Sequence, residues 1–427
     1  MKYLPANKDS VITYVKSASE KTIRGCDKKY KDEVKKIISE RRGNFIKDIE
    51  DSTYIFDDDI SRYLKSILNE IYTSNPTIDS KDFYFFLDKS TIPNAACYGD
   101  GIFTLNLGLF NFVDNDDELA YIFCHEIAHF ALAHNQKNLL SRIEKLQSKD
   151  TKKEIRKVNN QTYGKRKLYA ELVEKLSYNF SKRNRSSEVQ ADSLGFIFFG
   201  KTKFNKSSSV SALKKLEVSD SIVFNENARI KEHFNFENYP FKENWLLKDE
   251  PLFDVKDTSN DYSLDKDSLK THPDMSFRIA ILSKMMADKK EAMSSATDKL
   301  KVIKRFVGLA IISNSINEKR LDLALYYTLV LFDKKEIDER TYCLLVGQLL
   351  QKVYELKANH TFGRYVTQIS PFSDEENLNQ VKRFLHNTEL KNIRKIGLNF
   401  CEKYQEPMKN DIDFKKTTLF FNKLNIN

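Results

Sequence analysis

Residues that interrupt helices are scarce in this sequence, with 12 Gly and 8 Pro among 427 residues. Long stretches without a strong breaker point to a mainly helical protein. Cysteine is scarce too. Cys26, Cys97, Cys124, Cys343 and Cys401 are odd in number, widely separated and without a CxxC pair, so no disulfide framework is expected and reduced thiols fit a cytoplasmic setting. The N-terminus, Met1 to Asp9, has no apolar stretch of signal-peptide length, and no later run is long enough to span a bilayer, Phe306 to Ile312 included. A soluble protein without a membrane span is expected, although an exported chain whose leader had been removed would read the same. Neither sign of charge dominates: 70 basic and 61 acidic residues give a net +9 spread along the chain. That is a solvated surface, and no nucleic-acid partner is expected from it.

What is present is enough apolar material, 41% of residues with 30 Phe and 20 Tyr, for two or three domains with sizeable cores. From Asp9 to about Glu50 the pattern is that of charged amphipathic helix. Asp57 to Tyr72 continues it with Ile60, Leu64, Ile67, Leu68 and Ile71 at helical spacing. Asn75-Pro76 breaks the run, and Asp82 to Leu87 reads as a buried strand. Asn94 to Tyr98 and Ile102 to Asn106, joined by Gly99-Asp100-Gly101, read as a hairpin. Asn135 to Arg183 is polar and Lys/Glu-rich, a long exposed helix or helical hairpin. Phe234 to about Leu269, which holds the sole tryptophan, Trp245, is irregular and reads either as a lid or as a structural wrap. Beyond about Ala296 helices return near Lys301–Ser315, Arg320–Phe332, Glu339–Leu356 and Leu378–Leu385; their pairing is tetratricopeptide-like without a clear period.

The chemistry lies in His125-Glu126-Ile127-Ala128-His129, an HExxH sequence inside the apolar-periodic segment Glu118 to His134. On a helix, residues four apart share a face, so both imidazoles can take one Zn²⁺. Glu126 beside them can hold the attacking water and accept its proton. Cys124 abuts His125, yet neighbouring helix side chains diverge, and a small buried hydrophobe is its reading. Asp114 to Asp117 supply acidic residues at the helix start, where they suit its dipole. Two histidines leave a tetrahedral zinc one protein ligand short. Arg185-Ser186-Ser187-Glu188-Val189-Gln190-Ala191-Asp192 can complete it: Glu188 as the third ligand, and Asp192 one turn on, holding the outer N–H of a ligand histidine. His134, nine residues after His125, suits packing or capping better than ligation.

The pairing of HExxH with ExxAD resembles metallopeptidase family forty-eight, gluzincins that include CAAX prenyl proteases, HtpX-type proteases and Oma- and BepA-type quality-control proteases. Asn94-Ala95-Ala96 resembles the family's edge strand over the cleft, and Gly108-Leu109 with Glu118-Leu119-Ala120 its approach to the zinc helix. His134 is similar to a histidine that often follows HExxH, and Thr271-His272-Pro273 with Arg278-Ile279 resembles the HP…RI segment. The resemblance runs from about Asp57 to Leu282 and omits the C-terminal third. The membrane helices of the prenyl-protease and HtpX branches have no counterpart, which favours a soluble branch.

The expected fold is α+β and mainly helical: the resemblance implies a gluzincin-type zinc metallopeptidase domain with a small antiparallel sheet, and the helical pattern beyond about Ala296 adds a C-terminal all-helical region. The expected boundaries are 1–50 for an N-terminal helical region, 51–295 for the peptidase domain and 296–427 for the helical domain. It implies one Zn²⁺ per chain on His125, His129 and Glu188, with Glu126 as base and an extended peptide lying along Asn94, Ala95 and Ala96. His272 would stabilise the oxyanion, swing onto the open zinc position and block it, or hold a turn. Arg278 reads as a structural ion-pair partner. The expected activity is endopeptidase cleavage of unfolded or flexible segments, as in protein quality control, with a protein partner for the C-terminal helices. The alternative is a zinc-stabilised protein-binding scaffold whose peptidase site is latent or inactive. A zinc hydrolase of non-peptide bonds is disfavoured by the edge-strand segment.

Overall fold

In a computed structural model of the chain, four short strands form a sheet with helices on both faces, and one of those helices carries the HExxH segment. The structure describes residues 4–26, 28–79, 83–161, 168, 185–219, 224–248, 275–286, 295–369 and 375–424. Two compact units form: Met1–Asp220 with Thr258–Lys301, and Ser221–Asp257 with Val302–Asn427.

In the first unit the helices are α1 (Lys8–Arg24), α2 (Lys31–Glu50), α3 (Asp58–Ser74), α4 (Leu107–Phe112), α5 (Asp116–Ala131), α6 (His134–Gln147), α7 (Lys149–Asn159), a helix over residues 185–200 (α8), α9 (Ser208–Ser219) and α10 (Met275–Met285). Helix α3 starts where Asp57 accepts from the N–H groups of Asp59 and Ile60, at 3.0 and 3.2 Å. It buries Ile60, Tyr63, Leu64, Ile67, Leu68 and Ile71, the stripe that the apolar spacing predicts. Each such side chain contributes roughly 1.5–3 kcal/mol when fully buried. The helix ends at Asn75, whose buried amide donates to the carbonyls of Ile71 at 2.9 Å and Phe198 at 3.0 Å. That second bond ties α3 to the far end of α8.

The strands β1 (Tyr54–Ile55), β2 (Tyr84–Asp88), β3 (Ala95–Cys97) and β4 (Ile102–Asn106) lie in the order β1-β2-β4-β3. β3 and β4 form the expected antiparallel hairpin, with Gly99 and Gly101 at φ of +83° and +82° in its turn. The sheet is mixed, however, because β4 runs parallel to β2. β4 buries Ile102, Phe103, Thr104 and Leu105, whereas the Ala-Ala-Cys of β3 is only half-buried. The apolar strand therefore takes the centre, and β3 is left at the edge.

Aromatic rings fill both sides of the sheet. Phe85 and Phe103 stack on one face and meet Phe123 and Phe130 of α5. On the other, Phe86, Tyr54 and Ile102 pack with Val11 and Val15 of α1 and Phe45 and Ile49 of α2. Arg41 of α2 donates to the Tyr98 carbonyl and to Asp100 Oδ2, both at 2.7 Å, and so fixes the hairpin turn.

The polar stretch after residue 134 begins as α6 and α7, and its remainder to Arg183 lies outside the described residues apart from Leu168. In the second unit, the segment after Phe234 is a wrap as far as residue 248: Trp245 is buried against Phe241 and Phe384. The remaining helices are α11 (Asp298–Asn317), α12 (Leu321–Asp333), α13 (Glu339–Ala358), α14 (Glu376–Asn387), α15 (Leu390–Lys403) and α16 (Ile412–Lys423). The last two lie beyond the segments that periodicity picks out. Among the described residues no helix is long and apolar enough to cross a membrane.

Candidate metal centre

Helix α5 places the HExxH residues because its start is tightly held. Asn115 caps it by accepting from Glu118 N–H at 2.9 Å, and the fully buried Glu118 reaches back to Asp114 N–H at 2.6 Å. Ser211 Oγ and Lys215 Nζ of α9 donate to the same carboxylate at 2.6 and 2.7 Å. From there to Ala128 the helix is buried on all sides. His125 and His129, one turn apart, bring their Nε2 atoms to 3.0 Å.

Helix α8 supplies the rest. A Cβ on Gly195 would lie 3.0 Å from His125 Cα and N, so glycine allows the two backbones to meet there. Glu188 then stands with its oxygens 3.5 Å from His125 Nε2 and 3.3 Å from His129 Nε2. One donor atom from each of His125, His129 and Glu188 falls within 4.8 Å of the others. Asp192 Oδ1 is 2.9 Å from His125 Nδ1, off the hydrogen-bond axis, and accepts from Tyr121 Oη at 3.2 Å. Behind both carboxylates lies Arg278 of α10, only 1% exposed. It donates to Asp192 through Nε at 2.6 Å and Nη2 at 2.9 Å, and its Nη1 is 3.1 Å from Glu188 Oε2. Arg278 is thus an ion-pair partner of both.

The electrostatics follow from this crowding. Burial opposes charge on His125, but Asp192 and Glu188 outweigh it and lift the imidazole's pKa to about 10. Burial also opposes ionisation of Glu188 and Asp192. The histidines and Arg278 prevail, holding Glu188 well below the usual carboxylate range, while Arg278 and His125 take Asp192 down to about 2. Burial pushes Glu126 the other way, upward, against the pull of His125 and His129.

Two further contacts have no counterpart in the spacing argument. His134, buried at the start of α6, sets Nδ1 3.0 Å from His129 Nδ1 and Nε2 3.1 Å from Gln190 Oε1. Gln190 lies between Glu188 and Asp192 in the same motif, the one sequence signal that could have found it. The other contact is the Cys97 N–H, which bonds to the Glu126 carboxylate and favours its ionised form. Asn106 N–H bonds to the Asn94 carbonyl and Tyr98 N–H to that of Ile102, both at 2.9 Å. Residues 94, 96 and 98 therefore turn their main-chain groups to β4, and Ala95 and Cys97 turn theirs away from it. The Cys97 carbonyl accepts from the Asn135 amide. Of Asn94, Ala95 and Ala96, Ala95 has the outward-facing main chain. His272 lies outside the described residues.

A cation fits this donor set. Two imidazole nitrogens face each other at 3.0 Å, and Glu188 Oε2 is buried without a well-aligned hydrogen bond. Two imidazole nitrogens and a carboxylate oxygen make the mixed nitrogen and oxygen donor set that zinc takes. Residues 60–286, more than half of the chain, match the family model of Peptidase family M48. The chain belongs to that family. It is therefore a member of a metallopeptidase family, as the HExxH and ExxAD resemblance implies, and hydrolase and protease are its class. No curated protein matches the chain. Within the M48 match lie strands β2, β3 and β4 and helices α5, α8 and α10, whereas α1, α2 and β1 precede it.

Proposed function

We propose that the chain is a zinc-dependent endopeptidase cleaving peptide bonds in unfolded or flexible segments, in the manner of quality-control proteases. The observation that carries this reading is the convergence of His125, His129 and Glu188 next to a buried Glu126 and the edge strand β3. His125, His129 and Glu188 hold the metal. Zinc bound there supplies Lewis-acid polarisation of a carbonyl and a lowered pKa for water.

The chain's own groups do the remaining work. Glu126, with its carboxylate steadied by the Cys97 N–H, accepts the proton of the attacking water and passes it to the leaving amine. The outward N–H and C=O of Ala95 pair with an extended substrate, a mode that reads main chain rather than side chains. Folded proteins offer few such strands, so flexible segments are the substrate class. Asp192 and Arg278 keep the ligands in place.

A latent site is the second reading, favoured by the tight apolar space beside Glu126. That space, lined by Leu109, Ile122, Leu213 and Leu216, holds about 10 Å³, roughly one water. Digestion of unfolded casein by the zinc-loaded protein, with and without chelator, separates the readings. An endopeptidase cleaves casein and stops on chelation. A latent site binds zinc and leaves casein intact.

A further inference from the structure

We propose that Gln190 and His134 are positioning residues that fix which nitrogen of His129 carries its proton, an inference that rests on His129 being a metal ligand. His134 Nε2 is 3.1 Å from Gln190 Oε1, and an amide oxygen can only accept. His134 therefore carries its proton on Nε2. In the neutral ring Nδ1 then holds the lone pair, and it faces His129 Nδ1 at 3.0 Å. His129 must supply the proton of that contact from Nδ1. Its Nε2 is left with a free lone pair, on the side where His125 Nε2 stands at 3.0 Å and Glu188 Oε1 at 3.3 Å.

The opposite amide orientation reverses every step. An amide N–H aimed at His134 Nε2 would put the His134 proton on Nδ1 and the His129 proton on Nε2, where a metal needs the lone pair. One amide thus decides whether His129 can ligate. Within five residues, α8 provides Glu188 to the metal, Asp192 to the outer nitrogen of His125, and Gln190, through His134, to the outer nitrogen of His129. The far imidazole is held by relay because it lies a turn further along α5.

The test uses the full chain with Gln190→Glu, which can only accept, Gln190→Met, which can do neither, His134→Phe, and the double variant His134→Phe/Gln190→Glu. Two quantities are read: the His129 tautomer in the metal-free wild type, by long-range ¹⁵N–¹H correlation, and the zinc Kd of each protein by chelator competition. The expected tautomer has its proton on Nδ1. His134→Phe should weaken zinc binding about tenfold to a hundredfold, the range for loss of an outer histidine partner, and Gln190→Met by a smaller factor of roughly three or more. Gln190→Glu should match or exceed the wild type, and that effect should vanish in the double variant.

A proton on His129 Nε2, unchanged affinity in Gln190→Met and His134→Phe, or a benefit of Gln190→Glu that persists without His134 would each overturn the relay. Gln190 is exposed, so its variants carry the test if His134→Phe does not fold. A wild type that binds no zinc overturns the metal reading itself, and the relay with it; weakly cleaving but zinc-binding protein leaves the relay's readouts intact.

Discussion

Gly195 of α8 lies against the backbone of His125 so closely that an added Cβ would sit 3.0 Å from both His125 Cα and N. This contact sets the distance from Glu188 and Asp192 to the histidines. A side chain there must push α8 away from α5, because backbone atoms cannot swing aside. Gly195→Val is expected to weaken zinc binding at least about tenfold, with Gly195→Ala milder; chelator competition measures both.

Arg278 offers a test of stability. It is buried between Glu188 and Asp192, and Arg278→Leu would leave two buried carboxylates without their cation. Breaking such a pair costs about 3–5 kcal/mol. Chemical denaturation of the metal-free protein followed by circular dichroism should show that loss. Arg278→Lys should recover only part of it, since one ammonium cannot reproduce the paired bonds from Nε and Nη2.

The proposed substrate edge can be probed at Ala95. Its N–H faces away from β4, so Ala95→Pro removes a group offered to substrate without removing a bond to β4. One lost hydrogen bond is worth about 0.5–1.5 kcal/mol, which predicts a fall of roughly threefold to tenfold in kcat/KM on extended peptides. Zinc affinity should stay unchanged. A fall in both would mean that the strand itself had moved.

Much of this was legible in the residues. The i, i+4 spacings of His125 with His129 and of Glu188 with Asp192 specify faces of helices, and a face is what local periodicity encodes. The hairpin was legible from Gly99 and Gly101. The place of β4 between β2 and β3 was not, because strand order depends on which strand gains most from burial, a property of the whole sheet. The contacts of Gln190 with His134, of Cys97 with Glu126 and of Arg278 with two carboxylates join residues 29 to 90 positions apart. No spacing rule reaches that far.

The second unit has its own pH signature. Burial lowers the pKa of Lys357 to about 8, although its Nζ donates to the carbonyls of His386 and Thr388 at 3.2 and 2.8 Å. An unfolded lysine keeps its proton to about 10.4. Between those values the unfolded state binds more protons than the folded one, so this residue makes stability rise with pH across about 8 to 10.4 and leaves it flat on either side. Trp245, the sole tryptophan, is buried in this unit, and its fluorescence in denaturant titrations reports the change. Relative to Lys357→Met, the wild type should gain stability from pH 8 to pH 10.

The proposed function stands on Glu126 as the base of a zinc peptidase site on His125, His129 and Glu188. Its most direct test is the rate of casein cleavage by wild type and Glu126→Gln, with zinc per chain determined in the same samples. One zinc in each protein and a rate in Glu126→Gln reduced by at least about a hundredfold are expected. Equal cleavage by the two proteins, or a wild type that cleaves with no zinc bound, would contradict the proposal.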